Sequence, residues 1–102
     1  HSVATGLTAT GTNQGTALAI TKDFNVVATT PSGTGVIFPT AIAGMRKTVI
    51  NNGANLLAVY PESGAQINSL GTNVGFGMNA TVRLDFIAVS TTQWYTLNAV
   101  YA

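Results

Sequence analysis

Residues 46–61 read RKTVINNGANLLAVYP, and the five residues NNGAN (51–55) in their middle decide how the chain folds. The flanking runs RKTVIN (46–51) and NLLAVY (55–60) are rich in β-branched and aliphatic residues, the composition of half-buried strands. Asn-Gly between two such runs is the strongest short hairpin signal, because both residues tolerate the positive φ of a tight primed turn. The stretch therefore predicts an antiparallel pair closed at Asn52-Gly53. Pro61 ends the second strand, since it has no N–H to give to a ladder.

Downstream, PESGAQINSLGTN (61–73) is a turn-rich connection with Ile67 and Leu70 as its expected anchors. A short strand with glycine bends follows at VGFGM (74–78). TVRLDFIAVS (81–90) alternates, with Val82, Leu84, Phe86 and Ala88 on one side and Arg83, Asp85, Ile87 and Val89 on the other. QWYTLNAVYA (93–102) alternates as well. Tyr95, Leu97, Ala99 and Tyr101 form its apolar side, opposite Trp94, Thr96, Asn98 and Val100.

Upstream, Leu18, Ile20, Phe24 and Val26 share one parity and predict one strand face interrupted by Lys22, with Lys22-Asp23 as an alternative turn that lacks the Gly of the favoured two-residue hairpins. TTPSGTG (29–35) is a loop, GVIFP (35–39) a short buried strand, and TAIAGM (40–45) the one segment with room for a helical turn. HSVATGLTATGTNQG (1–15) has little to bury. It reads either as a frayed terminus or as an arm that orders against a neighbouring subunit. The expectation is an all-β, single-domain antiparallel β-sandwich or small barrel, a jelly roll being one form of it. An extended N-terminal arm (1–15) would precede the β domain (16–102).

Charged residues make up 7% of the chain, against about 25% in an average soluble domain. A net charge of +1 with no basic patch argues against nucleic acid as a partner. No apolar run approaches the roughly 20 residues that span a bilayer, and HSVATGLTATG lacks the basic and apolar regions of a signal peptide. The absence of cysteine excludes disulfides and cysteine-held zinc, and a single histidine argues against a histidine-rich metal site. No cofactor is expected. Weak charge repulsion between copies suits a protein packed against others, and subunit association is a common device for stabilising so small a domain.

Catalytic constellations are scarce. Only Asp23, Glu62 and Asp85 carry carboxylates, and Glu62 sits in a turn while the other two have cationic neighbours in Lys22 and Arg83. That is a poor supply for paired-carboxylate hydrolysis. His1, at the terminus, is the only candidate base for a serine nucleophile, and neither a GxSxG elbow nor a phosphate-binding glycine loop occurs. An enzyme is not expected. Arg83 and Asp85, two apart on one strand, predict an exposed ion pair or a register-fixing contact between subunits. Trp94 has three readings: an indole turned inward by a bulge at Gln93, a subunit anchor, or a saccharide platform.

VINNGANLLAVYPESGAQINSLGTN (49–73) and the later TTQWYTL (91–97) resemble a pattern in small β-rich virion proteins of tailed bacteriophages. The elements are Val49 to Asn51, Gly53-Ala54, Leu56 to Ala58, Val59-Tyr60-Pro61, Ser63-Gly64-Ala65, Ile67-Asn68 and Gln93-Trp94. The resemblance spans roughly the second half of the chain, residues 46–97, and does not extend to the first 40 residues. It implies a capsid decoration (cement) protein, a homotrimer bound where capsomers of an icosahedral shell meet. Its partners would be its own copies and the major capsid protein. It would be made in the host bacterial cytoplasm and reside on the capsid surface. Trp94, Tyr60, Arg83, Asp85 and Glu62 are then the candidate interface residues, with Glu62 at a loop rim. The alternative is a trimeric tail- or fibre-associated module that binds a receptor or glycan.

Overall fold

The computed structural model describes residues 2–97. The chain is all-β: ten strands and, among the described residues, no helix. They are β1 (Val3–Thr8), β2 (Leu18–Ala19), β3 (Phe24–Thr29), β4 (Gly35–Ile37), β5 (Arg46–Asn51), β6 (Leu57–Tyr60), β7 (Gln66–Ile67), β8 (Phe76–Met78), β9 (Arg83–Ala88) and β10 (Gln93–Leu97). Six form one sheet in the order β1-β3-β5-β9-β10-β7, and four form a second in the order β2-β4-β6-β8.

The sheets are mixed, which corrects the expectation of an antiparallel sandwich, barrel or jelly roll. Through β6 the chain alternates between sheets, so β1, β3 and β5 stack in parallel in one and β2, β4 and β6 in parallel in the other. This is solenoid-like winding. Partner residues in successive coils are 21 apart at Val3↔Phe24, 24 at Phe24↔Thr48, 18 at Leu18↔Val36 and 23 at Gly35↔Ala58. Because the coil length changes, no internal repeat is visible in the sequence. The far end of the coils is covered by reversed strands, β8 on β6 and β9 on β5, while β10 pairs antiparallel with β9 and parallel with β7.

NNGAN is accordingly a corner between sheets. The runs on either side never pair with one another: β5 lies between β3 and β9, and β6 between β4 and β8. Asn51 makes the corner. Fully buried, it accepts from the Thr30 hydroxyl (2.7 Å) and the Gly53 N–H (3.1 Å). Its amide donates to the carbonyls of Asn55 (2.9 Å), Met78 (3.0 Å) and Asn79 (3.3 Å). Gly53 is needed for closeness, since a Cβ there would lie 2.5 Å from the Thr30 backbone nitrogen. Gly53→Ala is expected to cost about 2 kcal/mol through overpacking against a backbone that cannot yield. A urea titration should show a lower midpoint at unchanged slope, and an unshifted midpoint would refute the close approach.

Residues 2–15 are likewise not a detached arm. Val3–Thr8 is β1, an edge strand paired with β3, and Ala9 is in the core. The edge is irregular: register shifts flank Leu7, and Gly6 has φ +65°. Such a bulged edge is a poor template for adding another strand.

One apolar cluster fills the space between the sheets. Its centre is aromatic: Phe38 packs on Trp94 (centroids 4.4 Å apart) and edge-on to Phe86 (5.0 Å), and Phe76 meets Phe86 at 5.8 Å. Phe86 and Ala88 point inward as their alternation predicts. Two other parities are reversed. In β3 the buried residues are Asn25 and Val27, leaving Phe24 exposed; in β10 Trp94 is buried while Tyr95 and Leu97 face water. Leu70, expected as an anchor, is 45% exposed, whereas Ile67 is fully buried. Asn98, Ala99, Val100 and Tyr101 lie outside the described residues.

Candidate functional site: the outer face of the six-stranded sheet

Of the five candidate interface residues, Trp94 and Glu62 belong to the interior framework. The indole is fully buried and its Nε1–H donates to Glu62 Oε1 at 2.9 Å, while Glu62 Oε2 accepts the Ala41 N–H at 2.6 Å. A wholly buried indole offers no platform to a saccharide and no anchor to a partner. Glu62 ties the loop at Ala41 to β10. Glu62→Gln replaces one acceptor by an NH2 that must face either the indole N–H or the Ala41 N–H. A loss of about 1–2 kcal/mol is expected, and equal urea midpoints for the two proteins would rule the bridge out.

The segments that carry the virion resemblance meet in space. Gln66 donates to Gln93 (2.7 Å), Gln93 donates to the Asn68 carbonyl (2.8 Å), and Asn68 exchanges bonds with Thr96 on its hydroxyl and its N–H (3.0 Å each). QIN and QWYT are thus two halves of one amide lattice joining β7 to β10. Tyr60 is also structural. It lies half-buried on the outer face of the four-stranded sheet, where a Cβ on Gly35 or on Gly75 would come within 2.9 Å of its ring. These two glycines make the trough in which the ring rests.

Arg83 and Asp85 lie elsewhere, on the outer face of the six-stranded sheet. They do not form the expected ion pair with each other; among the described residues the one ion pair is Lys47–Asp23 (3.7 Å). Asp85 instead accepts from the Thr48 hydroxyl on the adjacent strand. A single register row crosses five strands here, Val3·Phe24·Thr48·Asp85·Leu97, apolar at both ends and polar in the middle. Beside it run Arg46·Ile87·Tyr95 and Val26·Ile50·Arg83. Val3, Phe24, Tyr95 and Leu97 are 58%, 38%, 46% and 39% exposed. Two adjoining grooves open on this face and share Phe24 and Thr48; one is bounded by Ile50, Arg83 and Asp85, the other by Asp23, Ile42 and Arg46.

The sequence reading missed Phe24, Tyr95, Leu97 and Thr48 as members of this surface. Alternation alone separates two faces without saying which one meets solvent, so the register was needed to bring them into one row. Chemically the face offers apolar contact and charges of both signs. Among the described residues no cluster of three potential metal ligands exists.

Fold and surface together define a class: a mixed two-sheet β domain with solenoid-like stacking and one broad, solvent-facing, partly apolar sheet surface. No family model, curated protein or solved structure matches the chain.

Proposed function

We propose that this chain is a structural virion protein, a capsid decoration protein that binds as a homotrimer at capsomer junctions on the outside of an icosahedral shell. The observation that carries the reading is the outer face of the six-stranded sheet, where Val3, Phe24, Tyr95 and Leu97 stand in water around a polar centre. A contiguous face of this kind on a small protein marks an interaction surface. The resemblance of residues 46–97 supplies the virion setting. The mechanism is mechanical: many weak contacts across capsomer junctions resist internal pressure, and linking several copies raises the effective concentration at each junction. Its partners are its own copies and the major capsid protein, and it performs no catalysis.

The test is co-sedimentation of the purified chain with assembled shells, paired with its solution mass by light scattering over a wide concentration range. Saturable binding to shells by an oligomer is the expected result. A chain that never sediments with shells would overturn the assignment. The alternative is a trimeric tail- or fibre-associated receptor- or glycan-binding module; with its indole buried, Trp94 is not available to it as a saccharide platform.

A further inference from the structure

We infer that the outer face of the six-stranded sheet receives a second copy of this chain, with Arg83 of one copy set against Asp85 of the other. The inference deepens the proposed structural role and rests on it for the premise that the chain works as an assembly; its geometry comes from this face alone.

The first argument is charge complementarity. The grooves carry Arg46, Arg83 and Asp85, together with Asp23, whose carboxylate already pairs with Lys47. A polyanion or an anionic lipid surface is held by clustered positive charge. Here a carboxylate stands two residues from Arg83 on the same strand face, so the face offers a partner both signs side by side, and a second copy presents both in return.

The second argument is that the charges are placed to be used between chains. Arg83 and Asp85 are two residues apart on β9, so both project from the same face. Among the described residues neither forms an ion pair, and the Asp85 carboxylate accepts the Thr48 hydroxyl through one of its oxygens. In a symmetric assembly each copy presents one guanidinium and one carboxylate, and all such pairs are satisfied together. The flanks support the same contact. Val3 and Phe24 on one side and Tyr95 and Leu97 on the other are apolar surface that water solvates poorly.

The third argument comes from the rest of the surface. β1, the longer of the two edges of the same sheet, is bulged at Gly6, which disfavours association by strand addition. On the outer face of the four-stranded sheet Tyr60 lies over Gly35 and Gly75, and the exposed Leu56 stands against Gly77. Among the described residues the outer face of the six-stranded sheet is the broader of the two and carries Val3, Phe24, Tyr95 and Leu97 in water.

The experiment compares the self-association of the parent chain by sedimentation equilibrium with that of Arg83→Asp, Asp85→Arg, the double exchange Arg83→Asp/Asp85→Arg, and Tyr95→Glu. Thermal melts of each confirm folding. Each single charge reversal places like charges in contact and is expected to weaken association by about tenfold or more. The double exchange restores the pair with opposite sense and is expected to recover most of that loss. Tyr95→Glu, at an exposed position, tests the face independently should Asp85→Arg disturb the contact with Thr48. Association unchanged in the single variants and in Tyr95→Glu overturns the inference and leaves the decoration role standing. A parent chain that stays monomeric at every concentration yet co-sediments with shells also overturns it, and assigns the face to the shell protein. Failure to sediment with shells, with the charge-exchange pattern intact, overturns the decoration role and leaves the interface.

Discussion

Trp94→Ala is expected to destabilise the chain by about 3–5 kcal/mol, the range for removing a large buried aromatic ring. The indole is fully buried, stacks on Phe38 at 4.4 Å, and donates to Glu62. Alanine would leave a cavity beside Phe38 and deprive Glu62 Oε1 of its donor, and the two losses act together. A small domain has about 5–15 kcal/mol of stability in total, so the variant should be partly unfolded at physiological temperature. Trp94→Phe keeps a ring against Phe38 but not the N–H, and is expected to cost less than the alanine variant. Because Trp94 is the only tryptophan, far-ultraviolet circular dichroism in urea is the suitable readout. A loss under about 1 kcal/mol for the alanine variant would mean that the indole sits at the surface, and would revive its reading as a platform or anchor.

Asn51→Ala is expected to cost about 3 kcal/mol or more, which is large for so small a side chain. Five groups bond to it: the Thr30 hydroxyl, the Gly53 N–H and the carbonyls of Asn55, Met78 and Asn79. Each buried group left unpaired costs about 1–3 kcal/mol, and the total falls short of the sum because hydroxyls rotate and water enters. These partners come from the loop after β3, the corner after β5 and the end of β8 with the turn that follows it, so one amide holds three crossings together. Asn51→Asp makes a sharper comparison. It keeps the shape and both acceptor contacts but turns an acceptor toward three carbonyls, so its loss should match or exceed that of alanine. If the aspartate variant were as stable as the parent, the donor half of the network would not exist.

Much of the architecture follows from local chemistry. The strands at 46–51 and 57–60 lie where β-branched and aliphatic runs predict them, and Pro61 ends the second. The inward parity of β9 is legible because Phe86 and Ala88 alternate with Arg83 and Asp85, and burying that charged side would be costly. In β10 both sides carry aromatic residues, so alternation cannot rank them. Trp94 faces in because Phe38 and Glu62 wait on that side, and neither is near it in sequence. In β3 the obstacle is a buried polar residue. Asn25 occupies the inward face with its amide bonded to the carbonyls of Lys22 and Thr48, and Phe24 faces outward beside it.

The candidate surface was legible only in fragments. Arg83 and Asp85 could be read as neighbours on one strand face, but Val3, Phe24 and Leu97 join them through a register that spans β1 to β10. The scarcity of carboxylates, the single histidine and the absence of cysteine bear on chemistry without reference to any fold.

By itself, then, the sequence determined that the chain is built of short strands broken by glycine, proline and asparagine, and that it carries few groups able to do chemistry. These are local properties, set by backbone sterics and side-chain type. Only the tertiary structure decided which strands pair, in which direction, and which side of β3 and β10 is inside. Asn-Gly bends a chain equally well at a hairpin and at a corner, and the corner prevails here because Asn51 finds its partners in Thr30, Met78 and Asn79, 21 to 28 residues away along the chain.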